Sequence, residues 1–351
     1  MDLKEIRTVY KDGAWHFKNN VRRDNIGDFT VGVAVFGDRR FYVLMARMGT
    51  PPPGGALWWS PYDGDPWSGW TQGAPPGSMP QPPIKGLPGP EGSINIDTHC
   101  WVQNPGTQVI TWVHAVRDGR TRRYHTERAT SKRLDPNPSA YTRYNYPISG
   151  DGENSIVIDP YEHIAVLFSV RKTTEEPDEF GMRFRSRLYR REVELEDFDT
   201  EFTVGPDEMV FEPSQDGQTE GAWGQGNGVM QPGICILPGG RYLCARLGRA
   251  PFKLASGRPA KGQMNKTTAV GLLTSYDQGQ SWKVGEGAPE LSREFLGLNE
   301  VGNPVNSPHP WFDPFANGGR GQLYFAAQIG GPRGCNKPGS RLMMTELGEI
   351  T

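Results

Sequence analysis

The sequence predicts an all-β chain folded as a single β-propeller of five or six four-stranded blades spanning residues 1–351, and three observations carry that expectation. Glycine (45) and proline (31) make up more than a fifth of the chain. Both residues break helices, so tight turns must be frequent. Period-2 apolar segments bounded by Gly, Pro, Asn and Asp recur at intervals of roughly fifty residues, the length of a four-stranded blade. The third observation is one local run, Ser-Tyr-Asp-Gln-Gly-Gln-Ser-Trp at 275–282. Tryptophan, tyrosine and phenylalanine are scattered throughout and supply the apolar area that a disordered chain of similar Gly and Pro content lacks.

The clearest repeat starts at Gln231 and runs through Pro-Gly-Ile-Cys-Ile-Leu to a turn at Pro238, Gly239 and Gly240. A second strand follows at 241–246, a third at 269–274, and the 275–282 run turns the chain into a fourth. A looser copy begins near 29, turns at Gly37-Asp38, and continues through 41–47 and 56–60. Further copies start near 94, 155 and 308, with second strands at 109–116, 164–170 and 322–328. A sixth unit is expected either within 198–220 or as an N-terminal strand at 15–17 that closes the ring against 342–345. Closure of that kind removes exposed sheet edges. The Pro- and Gly-rich stretch 71–92 reads as a connection between blades and a candidate pocket wall, because the strand rhythm continues on both sides.

Charge excludes some partners. The formal net charge is −2 with both signs interspersed, so no basic field exists to hold a phosphate backbone, and no nucleic acid is expected. The alternation Arg-Phe-Arg-Ser-Arg at 183–187 reads as the solvated face of a strand. No stretch approaches the length of a membrane span, the N-terminal residues lack the apolar core of a secretory signal, and no membrane partner is expected. Four cysteines (Cys100, Cys235, Cys244, Cys335) lie far apart without CxxC spacing. They read as buried thiols, with one disulfide open between Cys235 and Cys244 across their hairpin. His114, His125 and His163 have no ligand-like spacing, so no metal and no cofactor is expected. The Gly-rich run 221–228 lacks a preceding strand and a following helix and reads as a loop.

The 275–282 run fits Ser/Thr-x-Asp-x-Gly-x-x-Trp, the Asp-box, and resembles the repeated hairpin of the sialidase superfamily. Its physical roles are structural. The Asp accepts turn amides, Gly allows a positive φ, and Trp packs between sheets. The blade from Gln231 to Arg246, and the later Asn-Pro-Val-Asn-Ser-Pro run at 303–308, are similar to sialidase blades, and together they cover about the last third of the chain. The resemblance implies that Arg246 binds a substrate carboxylate, with Arg249 nearby and Arg47 in a comparable place in the first blade. Guanidinium groups match a planar carboxylate bidentately. An arginine spanning two blades in a salt bridge is the competing reading. Where the family often opens this blade with Glu, this chain has Gln231, which cannot act as a base.

Further candidates come from the starts of inner strands, which crowd around one mouth of a propeller. Asp28, Asp97, His99, Glu153 and His309 fall there. Two carboxylates at such a mouth suit acid and base, or acid and nucleophile, in glycoside cleavage. A His or Tyr beside an Arg suits proton abstraction next to a uronate carboxylate, as in a polysaccharide lyase. Each candidate also has a plain structural reading as a turn cap, a loop carboxylate or a strand terminus. By spacing, Asp97 and His99 share one strand face. Trp223 and Trp311, in Gly- and Pro-rich surroundings, read as exposed platforms for sugar rings. The expected partner is therefore a carbohydrate, an acidic glycan in particular. The expected function is cleavage of a glycosidic bond beside an acidic sugar, with a uronate lyase or a non-catalytic glycan-binding propeller as the alternatives.

Overall fold

A computed structural model describes residues 16–17, 26–36, 38–48, 54–62, 71–72, 93–106, 108, 110–118, 124–131, 142–146, 153–174, 184–193, 195, 205–212, 230–249, 268–284, 305–329 and 341–348. These residues form five antiparallel sheets of four strands each. The first sheet holds β2 (Ile26–Phe36), β3 (Arg39–Met48), β4 (Gly54–Pro61) and β5 (Thr71–Gln72). The second holds β6 (Ser93–Gln103), β7 (Ile110–Asp118), β8 (Tyr124–Ser131) and β9 (Thr142–Tyr146). In the third are β10 (Glu153–Asp159), β11 (Ile164–Thr174), β12 (Phe184–Val193) and β13 (Glu208–Phe211). The fourth comprises β14 (Met230–Leu237), β15 (Arg241–Arg249), β16 (Thr268–Ser275) and β17 (Lys283–Val284). In the fifth, β18 (Val305–Asp313), β19 (Gln322–Ile329) and β20 (Arg341–Gly348) are completed by β1 (His16–Phe17) from the other end of the chain.

Each sheet is a meander whose first strand is innermost, and these first strands touch in a closed cycle: β2 against β6, β6 against β10, β10 against β14, β14 against β18, and β18 against β2. That is the ring of a β-propeller. It closes through β1, whose His16 and Phe17 pair with Met344 and Met343 of β20. The N-terminal closing strand expected from residues 15–17 is therefore present, while residues 208–211 serve as the fourth strand of the third sheet. Backbone pairing across the chain ends removes an open edge and ties the first and last segments together.

The sheets meet through apolar faces. Between the third and fourth, Val157, Val166, Phe168, Val170 and Leu188 pack against Ile234, Tyr242, Cys244, Leu273 and Trp282. The Phe168 ring meets Trp282 edge-on at 5.7 Å and Tyr242 at 6.3 Å. Burial of a side chain such as Phe168, fully shielded here, contributes about 1.5–3 kcal/mol. In the fifth sheet Trp311 stacks on its register partner Tyr324 at 4.4 Å, and it meets Tyr42 of the first sheet edge-on at 5.9 Å. At the seam of the first two sheets Gln103 acts as a piece of ladder. Its Oε1 accepts from Val35 N and its Nε2 donates to Val35 O, both at 2.7 Å.

The 275–282 run makes the turn from β16 to β17. Gly279 N donates to Ser275 Oγ (2.8 Å), Ser281 N donates to Asp277 Oδ1 (2.9 Å), and Trp282 Nε1 donates to Gly279 O (3.1 Å). Burial works upward on the Asp277 carboxyl, yet hydrogen bonds from Ser281 and Ser275 outweigh it and hold the group below its usual range. Gly279 has φ +79°, and a Cβ there would lie 2.5 Å from Phe168 Cζ, so conformation and space both demand glycine. The turn is also bolted to the neighbouring sheet, because buried Arg190 of β12 donates from Nε to Gln278 O at 2.9 Å.

The disulfide left open between Cys235 and Cys244 is not formed. Cys235 pairs with Leu243 and Cys244 with Ile234, so the two cysteines occupy adjacent register positions with opposite facings; both are buried free thiols. Of the 183–187 run only Arg187 has a described side chain; it is partly buried and holds Glu212 at 2.8 Å, while Arg190, further along β12, is 3% exposed.

Candidate active site

The inner strands run in one direction around the axis. Trp101 and Gln103 of β6 reach successively later residues of β2, Thr30 and Val35. Gln231 and Gly233 of β14 similarly meet Ser307 and then Pro308 of β18. The starts of all five inner strands therefore gather at one end of the axis, with the hairpin turns at the other. Between them lies a cavity of about 330 Å³ lined by all five strands, among them Thr30, Trp101, Ser155, Ile234 and His309. Its turn-side mouth is framed by Pro105, Pro160, Tyr161 and Pro314.

At the start end four of the five inner strands are irregular. On β2, Ile26 pairs with Met48 and Phe29 with Ala46, so Gly27 and Asp28 together stand opposite Arg47. On β14, Met230 pairs with Leu247 and Gly233 with Ala245, so Gln231 and Pro232 together stand opposite Arg246. On β18, Ser307 and Pro308 stand opposite Ala327. On β6, register shifts flank Asp97 on both sides. β10 alone starts regularly, with Glu153 opposite Val170. A β-bulge bends its strand and re-aims a side chain, and such bulges concentrate beside functional sites.

Two of the bulges carry backbone that a non-glycine residue rarely adopts. Gln231 has φ +46° and Ser307 φ +48°, and each precedes a proline. They are tied together, since Ser307 N donates to Gln231 Oε1 at 2.7 Å. The bulge of β18 also lies so close to Gly233 that a Cβ there would stand 2.2 Å from Pro308 O. Conformations of this kind persist only where the surroundings over-determine them.

The sequence-predicted residues thus separate into groups. Asp28, Asp97, His99 and Glu153 sit on three neighbouring inner strands at the start end. Arg47 and Arg246 stand opposite bulges, and Arg249 pairs with Thr268 at the end of β15. The side chains of these seven residues lie outside the described residues, as does Trp223 altogether. The strand is irregular between Asp97 and His99: their partners Ala115 and His114 are consecutive, so an extra residue, Thr98, is inserted between them.

The remaining three have described side chains. Gln231 is spent on the seam to β18. His309 is 9% exposed, and its Nε2 donates to Val31 O at 3.0 Å. Burial pushes its pKa down to about 4, so the ring is neutral at neutral pH. Trp311 is not an exposed loop platform. It lies on β18 at 3% exposure, where its stacking partner Tyr324 covers one face.

Sequence reasoning missed the groups that hold the inner strands. Trp101 Nε1 donates to Thr30 O at 3.2 Å. Asp313 closes β18 and accepts from the hydroxyls of Tyr42 and Tyr62, both at 3.1 Å, while Asp159 closes β10 and accepts from Tyr242 at 2.8 Å. The available signal was an aspartate closing two of the inner strands, Asp159 and Asp313, ahead of a turn, with a tyrosine early in the second strand of the following sheet.

The chain is a β-propeller. No protein-family model matches the sequence, and no curated protein does. Among solved structures it is similar to the endo-arabinase from Bacteroides thetaiotaomicron VPI-5482, at 13% identity over 95% of this chain and 97% of that one, with a TM-score of 0.57. It is similar also to the endo-1,4-beta-xylanase from the same organism (13% identity, 95% and 91% covered, TM-score 0.58). The GH43_1 enzyme from Xanthomonas citri complexed with xylotriose is a third (10% identity, 98% and 92% covered, TM-score 0.51). At these identities the likeness is one of fold.

Proposed function

We propose that the chain is a single propeller domain of five blades, residues 1–351, and a glycoside hydrolase whose active site lies at the start end of the inner strands. The observation that carries this reading is the placement of Asp28, Asp97 and Glu153 on β2, β6 and β10, three neighbouring strands of one ring, with the first two at register shifts. Carboxyl groups converging on one mouth from separate rigid strands are what glycosidic cleavage requires. One protonates the departing oxygen, and another activates water or attacks the sugar carbon directly. Propellers of similar fold named as an arabinase and a xylanase favour sugar-polymer chemistry here. The likeness to sialidases extends in this reading to the propeller and the 275–282 turn. Arg47 and Arg246, each opposite a bulge, fit a substrate bearing a carboxylate, and an acidic glycan is the proposed class.

The test is turnover of a panel of arabino-, xylo- and uronate-containing oligosaccharides by the wild type and by Asp28→Asn, Asp97→Asn and Glu153→Gln. Cleavage by the wild type with a loss of about 100-fold or more in at least two variants is expected. A product with a new carbon–carbon double bond would make the protein a lyase instead.

A second reading, a glycan-binding propeller without turnover, is favoured by one observation. The fourth inner strand presents a neutral Gln231 whose carbonyl oxygen is committed to Ser307. Tight binding of a panel member by the wild type and by all three variants, with no cleavage, is its signature.

A further inference from the structure

We propose that His309 and Trp101 are positioning residues that hold β2 from both sides and so set the aim of its Asp28 end. The inference rests on the reading that Asp28 belongs to the active site. Asp28 lies in a bulge at the start of β2, the innermost strand of its sheet. An innermost strand has a sheet partner on one side only, and its bulged start lacks regular ladder pairing there. Its direction must be fixed by groups from the neighbouring blades.

Two such groups reach consecutive carbonyls immediately beyond the bulge. From the fifth sheet, His309 Nε2 donates to Val31 O at 3.0 Å. From the second sheet, Trp101 Nε1 donates to Thr30 O at 3.2 Å. Both donors are buried, as are Thr30 and Val31, so each bond is made away from water. Gly32 allows the approach. A Cβ there would stand 3.3 Å from Trp101 Cζ2, tighter than ordinary contact, so the indole lies against bare backbone.

The clamp from β18 is itself braced. His309 follows directly on the Ser307–Pro308 bulge, whose strained backbone is held by the bond from Ser307 N to Gln231 Oε1. A chain of contacts therefore runs from Gln231 through the bulge to His309, and across to β2. This assigns His309 a role that acts through Asp28 and needs a hydrogen-bond donor at the position of Nε2, not a titrating imidazole. Misplacing a catalytic group by about 1 Å costs up to about 100-fold in rate.

The experiment uses the full chain and the best substrate of the panel, with kcat and KM measured separately for His309→Leu, His309→Gln and Trp101→Phe. Trp101→Phe keeps an aromatic ring and deletes the donor, and so guards against a failure to fold in the histidine variants. The expected result is a 10- to 100-fold lower kcat with KM within about threefold for His309→Leu and Trp101→Phe, and recovery to within a few-fold of wild type for His309→Gln. Wild-type kcat in Trp101→Phe and His309→Leu overturns the inference. So does His309→Gln as impaired as His309→Leu at equal thermal stability, because an amide donor then fails to replace the ring. A wild type inert on every sugar removes the functional reading and this inference with it, whereas an active wild type with an inactive Asp28→Asn leaves the functional reading standing whichever way the clamp variants fall.

Discussion

The Tyr242 hydroxyl donates to Asp159 Oδ2 at 2.8 Å across the seam between the fourth and third sheets. The other oxygen of that carboxylate accepts the backbone N–H groups of Tyr161 and Glu162, so one side chain both caps the turn after β10 and receives a strand of the next sheet. The arrangement recurs where the ring closes. Asp313 caps the turn after β18 through Phe315 N and accepts from Tyr42 of the first sheet. Each latch joins the end of an inner strand to a second strand in the following sheet, and both tyrosines are fully buried. Burial, reinforced by the neighbouring carboxylate, pushes both phenols well above their usual range, so they remain donors.

Removing the hydroxyl leaves a buried carboxylate oxygen without its side-chain donor, which costs about 1–3 kcal/mol. Tyr242→Phe is expected to lower unfolding stability by that amount. Tyr62→Phe is expected to cost less, because Tyr62 is only half-buried and Asp313 retains Tyr42. Urea unfolding midpoints of the two variants decide it, and equal midpoints would contradict the latch.

The 275–282 turn makes a sharper prediction. Gly279→Ala adds a methyl group where φ is +79° and where Phe168 Cζ stands 2.5 Å away. Phe168 is fully buried in the core between the third and fourth sheets, so its ring must shift to admit the methyl group. Strain and overpacking together are expected to cost about 3 kcal/mol or more. Gly239→Ala serves as the control, since its φ is +80° but nothing lies near its Cβ position, and about 1 kcal/mol of backbone strain is all it should lose. Thermal unfolding compares the pair, and a milder effect at 279 than at 239 would show that the turn does not dock on Phe168.

The residues that were legible and those that were not differ in kind. Strand rhythm and the turn motif are local, and they placed the inner strands beginning at Ile26, Ser93, Glu153, Met230 and Val305 within a few residues of the expected starts. The closing pair of His16 with Met344 was also readable, because ring closure requires some strand from the far end. Bulges are different. Ordinary polar pairs such as Asp97 and His99 look alternate in sequence, and only the cross-strand partners reveal the inserted Thr98. Trp311 illustrates the same limit, since flanking prolines signalled a loop although a β-bulge accommodates Pro308 and the innermost edge of the sheet accommodates Pro310. The role of His309 depended on a carbonyl 278 positions away in the chain, for which no local pattern exists.

Because His309 is buried and neutral, stability must depend on acidity with a definite sign. Its folded pKa is about 4, against an ordinary value of 6.5. Between those values the unfolded chain binds the proton and the folded one does not, so stability is fully present above pH 6.5 and drains away as pH falls toward 4. The loss approaches about 3 kcal/mol, at about 1.4 kcal/mol for each pKa unit. Asp313 works in the opposite sense. Burial raises its pKa above 3.8, the folded state holds the proton more tightly there, and this group favours folding as pH falls. The measured slope is therefore a difference of opposing contributions, and the informative quantity is the gap between the wild type and His309→Gln, in which Asp313 is unchanged. That gap is expected to narrow from pH 7 to pH 4.5 in urea titrations, as the wild type loses stability that the glutamine variant never owed to a neutral imidazole. Parallel curves for the two proteins across that range would show His309 titrating alike in the folded and unfolded chains, and would contradict its reading as a buried neutral donor to Val31.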